Sequence, residues 1–309
     1  MSHPLGELSA LQTADGSLSL HSERFDEAFH SSVGALAEAE AKFVRPAQLE
    51  RFCGAGRLRV LDVCVGLGYN SAALMNALPK QNTPALQWWG LELDPRPLSL
   101  ALTHDSFRGL WSPDVLMRLE QIHRNSSWNE GQSEGTLLWG DARSTVQELP
   151  EHWQADLILM DAFSPGRCPE LWSEEFLGAL ANRLAAGGRL LTYSRSAAIR
   201  GSLRRAGLQL RSLQPAPGQR LEWSSGTLAT KPGGAEDLAS AGPGWKPLCT
   251  MEEEHLNTRA AVPYRDPDGH DDAQQIRIRR EQEQQTCKSE STSAWQRRWR
   301  QRAADIEIS

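Results

Sequence analysis

The chain has 309 residues, enough to bury a full α/β core with material left for extensions. Apolar residues make up 39% and charged residues 23%. No stretch approaches the roughly 18 uninterrupted apolar residues of a membrane span, and five scattered cysteines form no CxxC pair, which excludes membrane-spanning, disulfide-framed and zinc-ribbon classes.

The net charge of −6 argues against a generic nucleic-acid binder, and free thiols fit a reducing, cytoplasmic setting. Residues 1–20 are polar and are expected to be loose, and Met1–Ala10 has neither the basic nor the apolar part of a secretory signal. Ser22–Val44 ends in a helical pattern with Leu36, Ala39 and Phe43 at helical spacing, so residues 1–45 read as an N-terminal extension or lid. The core, residues 46–232, opens with Arg59–Val65 (RVLDVCV), an apolar run ending in glycines that predicts a buried parallel strand. A helix is expected over Asn70–Leu78 and a second strand over Leu86–Leu93 (LQWWGLEL). Asp94-Pro95 then opens a helix with an acidic cap and a first-turn proline.

Thr103–Gly135 reads as an irregular insertion placed over the site. Thr136–Gly140 (TLLWG) and Asp156–Met160 (DLILM) predict strands three and four, with a short helix at Ala142–Leu149 between them. An amphipathic helix over Glu170–Leu184 is stopped by Ala185-Ala186-Gly187-Gly188. Arg189–Tyr193, Leu208–Leu213 and a segment near Gly226–Lys231 complete seven strands, with a helix at Ala197–Ala206. Strand and helix alternating this regularly predict an α/β fold, a doubly wound, mostly parallel seven-stranded sheet of Rossmann-like type. Residues 233–309 turn rich in Gly, Pro, Glu and Asp and then in Gln, Arg and Ser, and read as a polar tail, partly helical or disordered.

Chemistry-bearing residues fall at the ends of successive predicted strands. Gly66 and Gly68 (VGLGYN) follow the first strand, where open α/β sheets bind ligands and where glycine lets backbone approach them. Glu92 ends the second strand, placed to accept the hydroxyls of a ribose; Asp94, beside Pro95, looks more like a helix cap. Asp141 ends the third, where it either accepts from an exocyclic amine or caps the next helix. Asp161 ends the fourth, in Asp161-Ala162-Phe163-Ser164-Pro165, able to orient an amine nucleophile or take its proton. Phe163, Pro165 and Trp172 are candidates for the substrate mouth. No histidine pair suits a metal, and neither a nucleophile elbow nor a P-loop is present. From Phe176 to Leu221 there is no acid but eight arginines, including Arg204, Arg205 and Arg220. They form either a solvated face with acids supplied from elsewhere or a patch facing RNA phosphates.

The stretches SERFDEAFHSSVGALAEAEAKFV, VGLGYNSAAL, WGLELDP, GDARSTVQELP and DLILMDAFSPGRCPELW resemble the MnmC-like methyltransferase family of tRNA 5-methylaminomethyl-2-thiouridine biosynthesis, over roughly residues 20–230. TRAAVPYRDP (Thr258–Pro267) is similar to a tail of its stand-alone members. The resemblance implies a class I S-adenosyl-L-methionine-dependent methyltransferase acting on the aminomethyl group of the wobble uridine, in the tRNA anticodon region. It places Gly66, Gly68 and Asn70 on the methionine part of S-adenosyl-L-methionine, Glu92 on ribose, Asp141 near adenine and Asp161, itself in contact with the cofactor, facing the amine. Arg204 and Arg205 would meet the tRNA. The motif reads DAF where DGF is common, and no second GxGxxG unit follows Lys231, so the expectation is methyl transfer without a flavin oxidoreductase step. Two rival expectations are a spermidine-synthase-like aminopropyltransferase, disfavoured by the helical look of Ser22–Val44, and a non-catalytic Rossmann-like nucleotide-binding subunit.

Overall fold

The computed structural model describes residues 5–215, 224–234 and 238–307; Arg220 lies outside them. The chain opens with a small antiparallel sheet of β1 (Leu8–Gln12), β2 (Leu18–Ser22) and β3 (Glu27–Ala28), where the composition had suggested a loose segment. Asp15-Gly16, with Gly16 at φ 81°, turns the hairpin, and Leu18 and Leu20 pin β2 to the core. Helix α1 (Ala35–Ala39) runs on through a π-helical turn (Glu40–Val44) into the short α2 (Arg45–Ala47).

The core then alternates as expected: β4 (Arg57–Val63), α3 (Tyr69–Asn76), β5 (Ala85–Glu92) and α4 (Arg96–Thr103). The segment predicted to be irregular is ordered, as α5 (Asp105–Arg108), α6 (Pro113–Asn125) and the edge strand β6 (Ser127–Glu130). Ser112 caps α6, Pro113 takes its first position, and Val115, Leu119 and Ile122 bury one face against the sheet. Among the described residues none from this segment lines the cavity below, which corrects its placement over the site.

The chain continues through β7 (Ser133–Trp139), α7 (Ala142–Thr145), β8 (Ala155–Met160), α8 (Glu174–Asn182), β9 (Leu184–Thr192), α9 (Ala197–Arg205), β10 (Gln209–Leu213) and β11 (Gly226–Thr230). The expected helix at Glu170–Leu184 is a 3-10 turn (Pro169–Trp172) followed by α8, because Ser173 caps a fresh start. The Ala185–Gly188 stop lies inside β9, where the register with β8 shifts between Ala155 and Leu157.

The main sheet has nine strands, in the order β12-β10-β11-β9-β8-β4-β5-β7-β6, with β12 at Trp245–Lys246. The seven predicted strands form its body, with β11 antiparallel to both neighbours; β6 and β12 are short additions at the edges. Strand order reverses at β4, which pairs in parallel with β5 and β8. Alternate residues serve opposite layers. Val60 and Trp88 pack under the α3–α6 side, whereas Leu61, Val63, Ile158 and Met160 pack under the α7–α9 side.

Beyond β12, helices α10 (Thr250–His255), α11 (Ala273–Thr286) and α12 (Thr292–Glu307) close the chain. The polar tail of the sequence is in part structural: Ile276 is fully buried in the α7–α9 layer, and Glu252 forms a buried ion pair with Arg200 at 2.8 Å.

Candidate active site

Register brings the strand ends level. Val63 lies beside Leu91 and Met160, and Glu92 beside Trp139, so the residues that follow each strand share one sheet edge, at the point where strand order reverses. A cavity of about 480 Å³ opens there, in the range of a small-molecule site. Gly66, Asn70, Glu92, Asp141, Asp161 and Phe163 all line it.

The loop after β4 turns through left-handed backbone at Cys64 (φ 67°), Gly66 (φ 55°) and Gly68 (φ 91°). A Cβ on Gly66 would stand 3.4 Å from the Phe29 ring in the cavity wall. Gly68 faces the other way, toward Leu98 and Leu119, and caps α3, so it shapes the loop without lining the cavity. The backbone N–H of Gly66 donates to Glu92 Oε2 (2.7 Å), and those of Leu93 and Asp94 donate to Oε1 (2.7 and 2.9 Å). A carboxylate offers about four acceptor positions, which leaves Glu92 one for a ligand hydroxyl. Burial pushes its pKa up, and the three amides oppose that shift.

Asp141 realises the capping alternative, since it accepts from the Arg143 amide at 2.9 Å at the start of α7. The Arg143 guanidinium also grips it, at 2.7 Å from Nη2 to Oδ2, while the carboxylate stays 42% exposed in the cavity wall. Cap and ligand acceptor are therefore compatible.

Asp161 is held by Asn70, whose Nδ2 donates to Oδ2 at 2.7 Å; among the described residues no other hydrogen bond reaches this carboxylate. Burial raises its pKa to about 6 against the opposing bond from Asn70, with the charge of Glu38 adding to the rise and that of Lys42 reducing it.

Phe163 stacks on Phe25 (centroids 4.4 Å apart) and meets Phe29 edge-on at 4.8 Å. Its loop is fixed from three sides: Glu27 accepts from the Ser164 amide (2.9 Å), Tyr193 Oη donates to the Ala162 carbonyl (2.9 Å), and Trp172 Nε1 donates to the Phe163 carbonyl (2.6 Å).

Three substrate-site expectations are corrected. Trp172 is fully buried and braces the Phe163 loop from beneath, because its indole N–H needs a partner inside the core. Pro165 is half-buried and does not line the cavity. Arg204 and Arg205 end α9 away from the cavity, paired with Glu253 (2.8 and 2.9 Å) and Glu174, so their acids do come from elsewhere.

Sequence reading missed Glu38 and Lys42, which line the cavity from α1 and its π-helical continuation and pair at 3.0 Å. It also missed Tyr193, Arg143 and Glu170. Seven carboxylates and three permanent cations line the cavity, a balance suited to positively charged ligands. Among the described residues there is no cluster of metal-ligating side chains, and no helix is long and apolar enough to cross a membrane.

A family model described as S-adenosyl-L-methionine-dependent methyltransferase matches residues 104–229. The tRNA 5-methylaminomethyl-2-thiouridine biosynthesis bifunctional protein MnmC of Azoarcus sp. (strain BH72) is 32% identical over 212 residues, which span 64% of this chain and 32% of that protein. An uncharacterized protein of Methanocaldococcus jannaschii is 28% identical over 199 residues, 62% of this chain and 52% of that one. The chain thus spans about a third to a half of the length of these relatives. The crystal structure of MNMC2 from Aquifex aeolicus aligns with a TM-score of 0.74 and 26% identity, covering 93% of this chain and 88% of that one.

Proposed function

We propose, from the premise that this chain carries an MnmC-like, S-adenosyl-L-methionine-dependent methyltransferase domain, that it methylates the aminomethyl group of the wobble uridine in the anticodon region of tRNA. The observation that carries the proposal is Asp161, a buried carboxylate at the cavity wall, oriented by Asn70 and with acceptor capacity left. The relatives named for tRNA 5-methylaminomethyl-2-thiouridine biosynthesis supply the substrate class. A cytoplasmic location belongs to the same reading.

The residues present fit the cofactor. Gly66 leaves a cradle that a side chain would narrow, and the Oε2 of Glu170, buried in the cavity wall, has no hydrogen-bond partner among the described residues. Glu92 would take ribose, Asp141 the adenine amino group, and Gly66 with Asn70 the methionine part. When bound, the cofactor supplies a sulfonium methyl open to in-line attack.

The chain's own residues prepare the nucleophile. An alkyl amine enters protonated at neutral pH and must lose that proton before its lone pair is available. Asp161, ionised above about pH 6, accepts the proton on its carboxylate and keeps the nitrogen oriented. Asn70 fixes the carboxylate, and the Phe25–Phe163–Phe29 cluster offers an aromatic edge to a planar base. Positioning of this kind supplies much of the rate in a bimolecular transfer.

The test is incubation of the purified protein with labelled S-adenosyl-L-methionine and tRNA bearing aminomethyl-uridine, followed by digestion to nucleosides. Label in the methylated nucleoside is expected, and its absence overturns the proposal. The three-stranded N-terminal sheet removes the sequence argument against an aminopropyltransferase, so a second arm uses decarboxylated cofactor with putrescine. Transfer only in that arm would establish the rival.

A further inference from the structure

We infer that Asp266, in the segment beyond the methyltransferase sheet, acts as a positioning residue for adenine recognition by dividing the charge of Arg143 between itself and Asp141. The inference rests on the assignment of Asp141 to the adenine amino group.

Arg143 bridges two carboxylates. Its Nε and Nη2 face Asp141, and its Nη1 donates to Asp266 Oδ2 at 2.6 Å and to the Asp271 carbonyl at 2.9 Å. Asp141 and Arg143 both line the cavity, whereas Asp266 is fully buried behind them. Its other oxygen accepts from the Asp271 amide (3.1 Å). The segment carrying Asp266 is bolted to the start of α8: the Glu174 amide donates to the Tyr264 carbonyl (2.8 Å), and Glu175 accepts from the Asp266 amide (2.8 Å) and from Arg265 (2.7 Å). A buried carboxylate held this firmly is placed to balance charge.

With Asp266 ionised, one guanidinium serves two acids, and Asp141 keeps excess negative charge with which to accept from an amino group. Without that charge the guanidinium turns wholly to Asp141, which becomes a weaker acceptor, and adenine loses its advantage over a base that offers a carbonyl at the same position. A site built to hydrogen-bond a donor rejects the analogue lacking it, and a bond to a charged acceptor is worth about tenfold or more in affinity.

The test measures binding calorimetrically, without RNA, for S-adenosylhomocysteine and its deaminated analogue S-inosylhomocysteine. Wild type should prefer the adenosyl ligand by about tenfold or more. Asp266→Asn, which keeps shape and removes charge, should narrow that preference to roughly threefold or less. Arg143→Lys, whose compact ammonium cannot bridge both acids, should narrow it likewise and serves if Asp266→Asn fails to fold. An unchanged preference with both affinities lowered equally would make Asp266 merely structural and overturn the inference. No preference in wild type would overturn the Asp141 assignment itself, and the inference with it.

Discussion

Burying a carboxylate disfavours its charged form, and Asp161 has one hydrogen bond, from Asn70, to offset that penalty. Its pKa stands at about 6 in the fold against 3.8 for an ordinary aspartate. Between those two values the unfolded chain releases its proton while the folded chain keeps it, so this group lowers stability as pH rises through the window and holds it lower above about 6. Asp161→Asn still accepts from Asn70 and removes the charge. It should therefore abolish methyl transfer yet raise the melting temperature at pH 8, with the gain disappearing below pH 4. Scanning calorimetry at both pH values checks this, and an unchanged or lowered melting temperature at pH 8 would sink it. Asp161, Glu92 and Asp141 were legible in the sequence because each follows an apolar run whose end fixes its place at the sheet edge. Glu38 and Lys42 were not. A Glu–Lys pair four residues apart is commonplace on solvated helices, and only packing reduces these side chains to 15% and 18% exposure.

Helix α9 shows why an arginine-rich run cannot be read for charge on its own. The run has no acid within it, but its partners lie 31 to 52 residues away in sequence, on α8 and α10. Arg200, 1% exposed, meets Glu252 at 0% and also donates to Thr227, Ser224 and the Gly226 carbonyl. One turn on, Arg204 and Arg205 are nearly half-exposed, each paired at the surface. The same residue type therefore carries very different energies. Glu252→Ala strands a buried cation and should lower stability by about 3–5 kcal/mol in urea unfolding. Joint reversal of Arg204 and Arg205 to Glu should cost about 1 kcal/mol or less per pair, and leave RNA affinity and its salt slope as in wild type. A flattened salt slope would restore these arginines to the RNA surface. Other elements had usable signals that went unread. Asp15-Gly16 marks the first hairpin, and Ser112-Pro113 followed by Val115, Leu119 and Ile122 marks α6.

At the scale of the whole molecule, the seven-stranded body was legible because buried parallel strands read as continuous apolar runs, whatever lies on either side of them. What surrounds it was not, because the flanking segments are held by single buried polar residues rather than by apolar stripes. The division into a core at residues 46–232 and a tail at 233–309 follows composition, whereas the physical connections cross that line repeatedly. Trp245, 2% exposed, extends the sheet through β12; Glu252 neutralises Arg200; Asp266 neutralises Arg143; and Ile276 fills the α7–α9 layer. A chain truncated after Pro232 would keep every strand of the seven-stranded body but leave two arginines without their buried acids. Each such loss is worth about 3–5 kcal/mol, and vacating the Trp245 and Ile276 positions adds about 1.5–3 kcal/mol apiece, against a typical total stability of about 5–15 kcal/mol. The truncated chain should therefore lose cooperative unfolding and near-ultraviolet dichroism, bind hydrophobic dye, and fail to bind S-adenosylhomocysteine. A truncated chain that melts cooperatively and binds that ligand with wild-type affinity would show that the sheet is self-sufficient and that the C-terminal segment only rests on it.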